Sequence, residues 1–167
     1  TTLLRMMFDA HPRIACGPEL KVLPMIAANC IRMLQGHGPL LREAYGLDEP
    51  AVMRTFGRQA EALLEPWRRR HGAARMAEKT PQNVHAFVPL AALLPESPFV
   101  HVIRDGRDVA ASLLRQSWID PATGRPLPYC SDLAEAAKYW VRCVRDGRRM
   151  LGTPAEDRYL EIRYERL

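Results

Sequence analysis

An arginine and a serine stand where a predicted buried strand gives way to a helix. Residues 99–103, Phe-Val-His-Val-Ile, are apolar at four of five positions, which is typical of a strand buried in a parallel sheet. Arg104 follows directly, and Ser112 lies in the helix predicted next. Because open α/β sheets bind ligands beyond the carboxyl ends of their strands, these two side chains could hold a phosphate. The alternative is that Arg104 and Asp105 form a surface salt bridge and Gly106 only turns the chain.

Helices and strands are predicted to alternate along the whole chain. Apolar residues at helical spacing predict helices at 1–10, 20–35, 50–70, 84–94, after Gly106, and at 131–151. Apolar or alternating runs predict strands at 14–16, 74–79, 99–103 and 158–164. This alternation predicts an α/β fold with a parallel sheet.

Several helix boundaries follow from prolines, glycines and capping residues. Pro24 is expected in the first turn of the second helix, and the Gly-His-Gly-Pro segment at 36–39 is expected to end that helix. Thr80 is expected to cap the helix that Pro89 interrupts, and Ser131 to cap the last helix. A second Arg-Asp-Gly-Arg at 145–148 follows no buried strand, so we interpret it as part of that last helix.

Composition narrows the class of protein. The 167 residues suffice for one domain with a real core, and the net charge of +5 favours anionic partners. The densest basic run, 68–70, ends a predicted helix, so nucleic acid is not expected as a partner. Four cysteines lie far apart, without metal-ligand spacing, and are expected to be reduced and mostly buried. With no apolar run of membrane-spanning length and no signal peptide, a cytoplasmic protein is expected.

Four segments, in order, resemble sulfotransferases. Residues 1–12, which begin Thr-Thr-Leu-Leu-Arg, resemble the end of the family's phosphosulfate-binding loop and its first helix. Residues 78–81, Glu-Lys-Thr-Pro, resemble the end of a second sheet strand. Residues 103–107 together with Ser112 resemble the 3′-phosphate site, and residues 164–167 resemble the tyrosine-containing turn after the last strand.

The resemblance implies a P-loop-type three-layer fold, with a parallel sheet flanked by helices and its first strand missing from this sequence. Residues 1–167 would then be a single sulfotransferase domain, partial at both ends and inactive by itself. The implied donor is 3′-phosphoadenosine 5′-phosphosulfate (PAPS), the product is 3′-phosphoadenosine 5′-phosphate, and no metal is needed. The implied donor-binding residues are Thr1, Thr2, Arg104, Ser112 and Tyr164.

Within this superfamily the chain is most similar to tyrosylprotein sulfotransferases. Their Leu-Asp-Ala-His-Pro and Cys-Gly-Glu-Glu-Thr-Arg segments are matched by residues 8–12 and 16–21. The match implies that Glu19 is the general base, that Lys21 binds the acceptor, and that Lys79 helps the departing group. An in-line displacement would need both a base and a cation. Taken alone, Glu19 is better explained as a carboxylate at a helix start, and Lys79 as a solvated strand end.

The sequence departs from that pattern at the acceptor side. Ala77 replaces the family cysteine that would pair with Cys16, Leu20 replaces a threonine, and Met25 replaces a second peptide-binding arginine. The acceptor hydroxyl is therefore left open among a protein tyrosine in an acidic peptide, a glycan and a small molecule. A homodimer is also left open.

Two other functions compete with sulfuryl transfer. The first is a P-loop nucleotide kinase, although no Gly-Lys-Ser/Thr loop stands in this sequence. The second is a non-catalytic nucleotide-binding or interaction remnant, which would bind PAPS without turnover.

Overall fold

Residues 2–167, which this computed structural model describes, fall into two units, residues 2–97 and residues 98–167. Each unit combines helices with one two-stranded parallel sheet among the described residues. The predicted α/β class with parallel strand pairing is thereby confirmed. Every helix within 2–167 is too short or too polar to cross a lipid bilayer.

The first unit contains α1 (Thr2–Asp9), β1 (Ile14–Cys16), α2 (Leu23–Tyr45), α3 (Glu49–Arg70), β2 (Arg75–Ala77), a 3₁₀ helix (Pro81–Ala86) and α4 (Phe87–Leu93). Strand β1 pairs with β2 in parallel, from Ile14 opposite Arg75 to Cys16 opposite Ala77. Helices α2, α3 and α4 pack on one another, and α3 also packs on both strands. Buried apolar side chains such as Ile26, Ala60 and Leu90 form its core.

The second unit contains β3 (Phe99–Ile103), α5 (Gly106–Leu113), a 3₁₀ turn (Pro128–Cys130), α6 (Leu133–Arg148), a 3₁₀ turn (Glu156–Arg158), β4 (Tyr159–Arg163) and a 3₁₀ turn (Tyr164–Arg166). Strand β3 pairs with β4 in parallel, from Phe99 opposite Tyr159 to Ile103 opposite Arg163. The strand predicted at 99–103 is confirmed, and the second Arg-Asp-Gly-Arg lies inside α6, as predicted.

The predicted end of the second helix is wrong. Helix α2 continues through Gly36, Gly38 and Pro39 and ends at Tyr45, where Gly46 adopts a left-handed φ of 65°. A proline inside a helix removes one hydrogen bond and costs about 3 kcal/mol. The packing of α2 against α3 outweighs that local cost. Pro24 lies in the first turn, as predicted.

Two further boundary predictions are wrong for local reasons. Asp132, not Ser131, caps α6, because its side chain accepts a hydrogen bond of 2.9 Å from the backbone N–H of Glu135. Helix α6 also ends at Arg148 rather than at residue 151. Pro89 does not interrupt α4, because it lies in the first turn, where an N–H would have no partner within the helix.

Candidate functional site

Two side chains predicted to do chemistry meet in the first unit. Residues 17–22, named here the 17–22 loop, connect β1 to α2, and Lys79 follows β2 by two residues. The Lys79 ammonium donates a hydrogen bond to the Glu19 carboxylate, forming an ion pair. The Lys79 side chain is 13% exposed and that of Glu19 is 32% exposed. A carboxylate that solvent reaches and a largely covered cation can therefore act on the same ligand.

Glu78, the residue before Lys79, ties three segments together. Its Oε1 accepts the backbone N–H of Leu20 at 3.3 Å and the hydroxyl of Thr80 at 2.5 Å. Its Oε2 accepts a hydrogen bond from the side-chain amide of Asn83. Thr80 and Asn83 are only 4% and 8% exposed. The carboxylate therefore links the 17–22 loop to the end of β2 and to the following 3₁₀ helix.

Lys21 lies in the same loop in an unusual backbone conformation. Its φ of 61° is in the left-handed region, which non-glycine residues seldom adopt. Its backbone N–H donates to the Thr80 hydroxyl oxygen at 3.3 Å, and the residue is exposed. The structure thus holds the Lys21 backbone near Thr80 and leaves the residue open to solvent.

Of the two donor residues predicted at the start of the chain, the structure describes only Thr2. Thr1 lies outside the described residues, so the prediction for it stays a prediction. Thr2 is exposed at the beginning of α1, which packs on β1. Thr2 is therefore accessible to a ligand.

In the second unit, Arg104 and Tyr164 come together beyond the ends of β3 and β4. The Arg104 guanidinium lies 5.2 Å from the centre of the Tyr164 ring, and its Nη2 donates to Asp108 at 3.1 Å. The backbone carbonyl of Arg104 accepts a 3.0 Å hydrogen bond from the indole of Trp140. Ser112 is half-buried on α5, one helical turn beyond Asp108.

Arg104 pairs with Asp108, and not with Asp105 as the alternative interpretation predicted. Asp105 pairs instead with Arg107 at 2.8 Å and also accepts the Arg107 backbone N–H at 2.9 Å. The Arg107 guanidinium lowers the pKa of Asp105 to about 2. The backbone N–H of Asp105 donates to Glu165 at 2.8 Å and lowers the pKa of that carboxyl. These bonds join the turn after β3 to the turn after β4.

The second Arg-Asp-Gly-Arg contributes to packing within the second unit. Arg148 forms two 2.8 Å hydrogen bonds to Glu161 on β4 and lowers the pKa of Glu161 to about 2. Gly147 faces the buried His101 ring, whose Nδ1 lies 2.7 Å from the Tyr159 hydroxyl. Burial lowers the pKa of His101 to about 4, so the ring is neutral near pH 7.

The prediction of mostly buried cysteines is confirmed, because Cys16, Cys30 and Cys130 are buried and Cys143 is half-buried. Cys16 stands directly opposite Ala77 in the β1–β2 register. Burial raises the pKa of the Cys16 thiol. Within residues 2–167, no group of three or more His, Cys, Asp or Glu side chains is arranged to hold a metal ion.

The sequence predicted no role for Glu78, Asn83 or Trp140. A carboxylate directly before Lys79, at the end of a short strand, was the local signal for Glu78. No local signal pointed to Trp140, because its partner Arg104 lies 36 residues away in the chain.

The sequence model described as "Sulfotransferase family" matches residues 1–167. Protein-tyrosine sulfotransferase 2 of Gallus gallus is 33% identical over 117 residues, which cover 68% of this chain and 30% of that protein. Protein-tyrosine sulfotransferase 1 of Danio rerio is 34% identical over 117 residues, covering 68% of this chain and 32% of that protein. The protein-tyrosine sulfotransferase of Drosophila melanogaster is 28% identical over 170 residues, covering all of this chain and 32% of that protein.

The chain therefore spans about a third of the length of these relatives. The expectation of a cytoplasmic protein is wrong, because tyrosine sulfotransferases such as these relatives are Golgi membrane enzymes. The nucleotide-kinase alternative is not favoured by these similarities.

Proposed function

The chain belongs to the sulfotransferase family, and from that premise we propose that its protein transfers a sulfuryl group from PAPS to an acceptor hydroxyl. The observation that carries the proposal is the ion pair of Glu19 and Lys79, in which a solvent-accessible carboxylate contacts a largely covered ammonium. These are the two groups that the transfer needs, a base for the acceptor and a cation for the departing oxygen.

In this mechanism Glu19 takes the proton of the acceptor hydroxyl while the acceptor oxygen forms its bond to sulfur. PAPS supplies the sulfuryl group, and the bond from sulfur to the bridging phosphate oxygen breaks. Lys79 stabilises the negative charge that grows on that departing oxygen. The attacking and departing oxygens of an in-line displacement lie on opposite sides of sulfur, as in phosphoryl transfer. The direct contact between Glu19 and Lys79 therefore belongs to the substrate-free protein, and each group exchanges it for a substrate.

The second unit would hold the 3′-phosphate of the donor. An arginine offers five N–H donors, of which Asp108 takes one from Arg104. The Arg104 side chain is 43% exposed and is steadied by the Tyr164 ring, so it can present the remaining donors to a phosphate. Ser112 adds a hydroxyl from α5, and Thr1 and Thr2 would contact the donor through amides and hydroxyls at a helix start.

A protein tyrosine is the acceptor we propose, because the relatives reported above are named protein-tyrosine sulfotransferases. Lys21 is exposed in the same loop as Glu19, and its cationic side chain suits an acidic acceptor peptide. A glycan or a small hydroxyl compound remains the alternative acceptor. A homodimer is likewise a proposal.

The finer architecture belongs to the same proposal. It is a single domain with a P-loop-type three-layer fold, whose first strand lies upstream of Thr1. The support for it is that both sheets are parallel and, among the described residues, only two strands wide. A parallel sheet of only two strands is seldom stable without further strands. The proposed chemistry needs no metal.

The decisive experiment compares Glu19→Gln with the unmodified full chain, including any residues encoded upstream of Thr1. The substitution keeps the shape and hydrogen-bonding capacity of the side chain and removes the base. Turnover at saturating tyrosine peptide should fall by about two to four orders of magnitude. Affinity for 3′-phosphoadenosine 5′-phosphate, measured by calorimetry, should persist because Glu19 acts on the acceptor.

Two further variants serve as comparisons for Glu19→Gln. Lys79→Ala should lower turnover and also weaken donor binding, since Lys79 meets the departing oxygen. Glu96→Gln, at an exposed carboxylate in the turn before β3, serves as the matched control and should change neither. Near-normal turnover of Glu19→Gln would show that Glu19 is only a loop carboxylate paired with Lys79.

A further inference from the structure

We propose that Glu78 is a positioning residue, whose carboxylate holds the 17–22 loop so that Glu19 and Lys21 stand where the reaction needs them. Only the catalytic consequence of this role rests on the proposed function. The contacts that create it are present in the structure irrespective of the reaction.

The Glu78 carboxylate connects the two segments just beyond the point where backbone pairing between β1 and β2 ends. The β1–β2 ladder closes at Cys16 opposite Ala77, one residue before Glu78. Beyond that point, Glu78 accepts the Leu20 N–H at 3.3 Å, so that a side chain replaces the next backbone contact between the two segments. Because each strand is only three residues long, the ladder alone restrains the following loop weakly.

Thr80 extends this hold to the next residue of the loop. Its hydroxyl donates to Glu78 at 2.5 Å while its oxygen accepts the Lys21 N–H at 3.3 Å. The two bonds form a chain in which each polarises the other, and Thr80 is buried, where such bonds are stronger than in water. Two consecutive loop amides, those of Leu20 and Lys21, are therefore fixed directly or indirectly by one carboxylate.

The loop needs this support because of its backbone conformation. Lys21 has a φ of 61°, a left-handed conformation that is unfavourable for a non-glycine residue because its Cβ crowds the backbone. Such a conformation persists only where surrounding contacts maintain it. Without Glu78 the loop would relax, and the Glu19 carboxylate would lose its place beside Lys79.

The geometry separates this role from that of a base. Both Glu78 oxygens accept hydrogen bonds from groups of the protein itself, including the buried Thr80 and Asn83. The Glu19 carboxylate, by contrast, is 32% exposed and can reach an acceptor. Glu78 is therefore engaged in holding the loop while Glu19 is accessible for proton transfer.

Asn83 provides the variant that distinguishes charge from hydrogen bonding. Its Oδ1 is buried and has no hydrogen-bond partner among the described residues. In Glu78→Gln, the new amide can accept from Leu20 and Thr80 through Oε1 and can donate to Asn83 once the Asn83 amide turns over. The glutamine therefore restores all three contacts without a carboxylate, whereas Glu78→Ala removes them all.

The test measures two quantities in the full chain: hydrogen exchange of the Leu20 and Lys21 amides, and steady-state kinetics with PAPS and a tyrosine peptide. In Glu78→Ala both amides should exchange at least about tenfold faster, while those of α3 report unchanged global stability. Turnover should fall by about 10- to 100-fold and the acceptor KM should rise, because small displacements of catalytic groups are costly. Affinity for 3′-phosphoadenosine 5′-phosphate should stay unchanged.

In Glu78→Gln, exchange and turnover should both stay near the values of the unmodified protein, unlike Glu19→Gln, which should lose turnover. If Glu78→Gln lost turnover as severely as Glu19→Gln while the loop amides stayed protected, Glu78 would act through its charge and the positioning role would be wrong. Unchanged exchange in Glu78→Ala would also overturn it.

Thr80→Val keeps the inference testable if Glu78→Ala does not fold. It should accelerate exchange of the Lys21 amide and leave that of Leu20 protected by Glu78, and equal protection of both amides would contradict the chain of bonds. If the unmodified protein transferred no sulfuryl group, the proposed function would fail, whereas the exchange data would still decide whether Glu78 holds the loop.

Discussion

Gly147, the glycine of the second Arg-Asp-Gly-Arg, is predicted to be required by its neighbour rather than by a ligand. A Cβ at this position would lie 2.3 Å from Cε1 and 2.4 Å from Nδ1 of His101. Ordinary contacts begin near 3.4 Å, so in Gly147→Ala the ring would have to move by about 1 Å. That ring is buried and hydrogen-bonded to the Tyr159 hydroxyl at 2.7 Å, so it cannot move by that distance without disturbing its neighbours.

The cost of Gly147→Ala follows from three contributions. Overpacking a core position costs about 1–3 kcal/mol, and disrupting a buried hydrogen bond costs about 1–3 kcal/mol. Alanine is better than glycine inside a helix by about 1 kcal/mol, which offsets part of this loss. The expected net loss is about 3 kcal/mol of the free energy of unfolding of the second unit.

Native-state hydrogen exchange of the β3 and β4 amides measures that loss in the second unit alone, and about 3 kcal/mol corresponds to roughly 100-fold faster exchange. The matched control is Gly36→Ala in α2, where a Cβ would meet nothing within 4 Å. It should stabilise α2 by about 0.5–1 kcal/mol. If Gly147→Ala proved as stable as the unmodified protein, the packing of His101 against α6 would be refuted.

Two further predictions concern the donor and pH. Arg104→Ala should weaken the binding of 3′-phosphoadenosine 5′-phosphate by about 10- to 100-fold. It should change the binding of adenosine 5′-phosphate little, since that nucleotide lacks the 3′-phosphate. Arg145→Ala should change neither affinity in calorimetry, and equal weakening of both nucleotides by Arg104→Ala would refute the assignment. Because burial lowers the pKa of His101 from 6.5 to about 4, the unfolded state binds the extra proton between these values. Stability of the second unit should therefore fall by about 3 kcal/mol from pH 6.5 to 4. The low pKa of Glu161 adds a further loss from pH 4.5 toward 2. Hydrogen exchange of the β3 and β4 amides at several pH values checks this prediction. In His101→Gln the loss of stability between pH 6.5 and 4 should be much smaller.

The elements whose signals are local could be predicted from the sequence. The apolar run at 99–103 is a strand, and Arg104 follows it directly, because strand periodicity and the break after it are properties of neighbouring residues. The family motifs are equally local, so the order of four short segments sufficed to predict sulfotransferases. The 36–39 segment shows where local signals fail, since the packing of α2 on α3 overrides a proline and two glycines.

What only the tertiary structure decided is which distant residues meet. Glu19 and Lys79 are 60 residues apart in the chain, and Glu78 and Leu20 are 58 apart. Their contacts depend on the parallel register of β1 and β2, which a 58-residue connection brings together. Sequence periodicity specifies the face on which a residue lies, but it carries no information on which other segment packs against that face. The role of Glu78 therefore follows only from the tertiary structure, in which the Leu20 N–H lies on its carboxylate. Hydrogen bonds form between atoms within about 3 Å of each other, and it is folding that brings these distant residues so close.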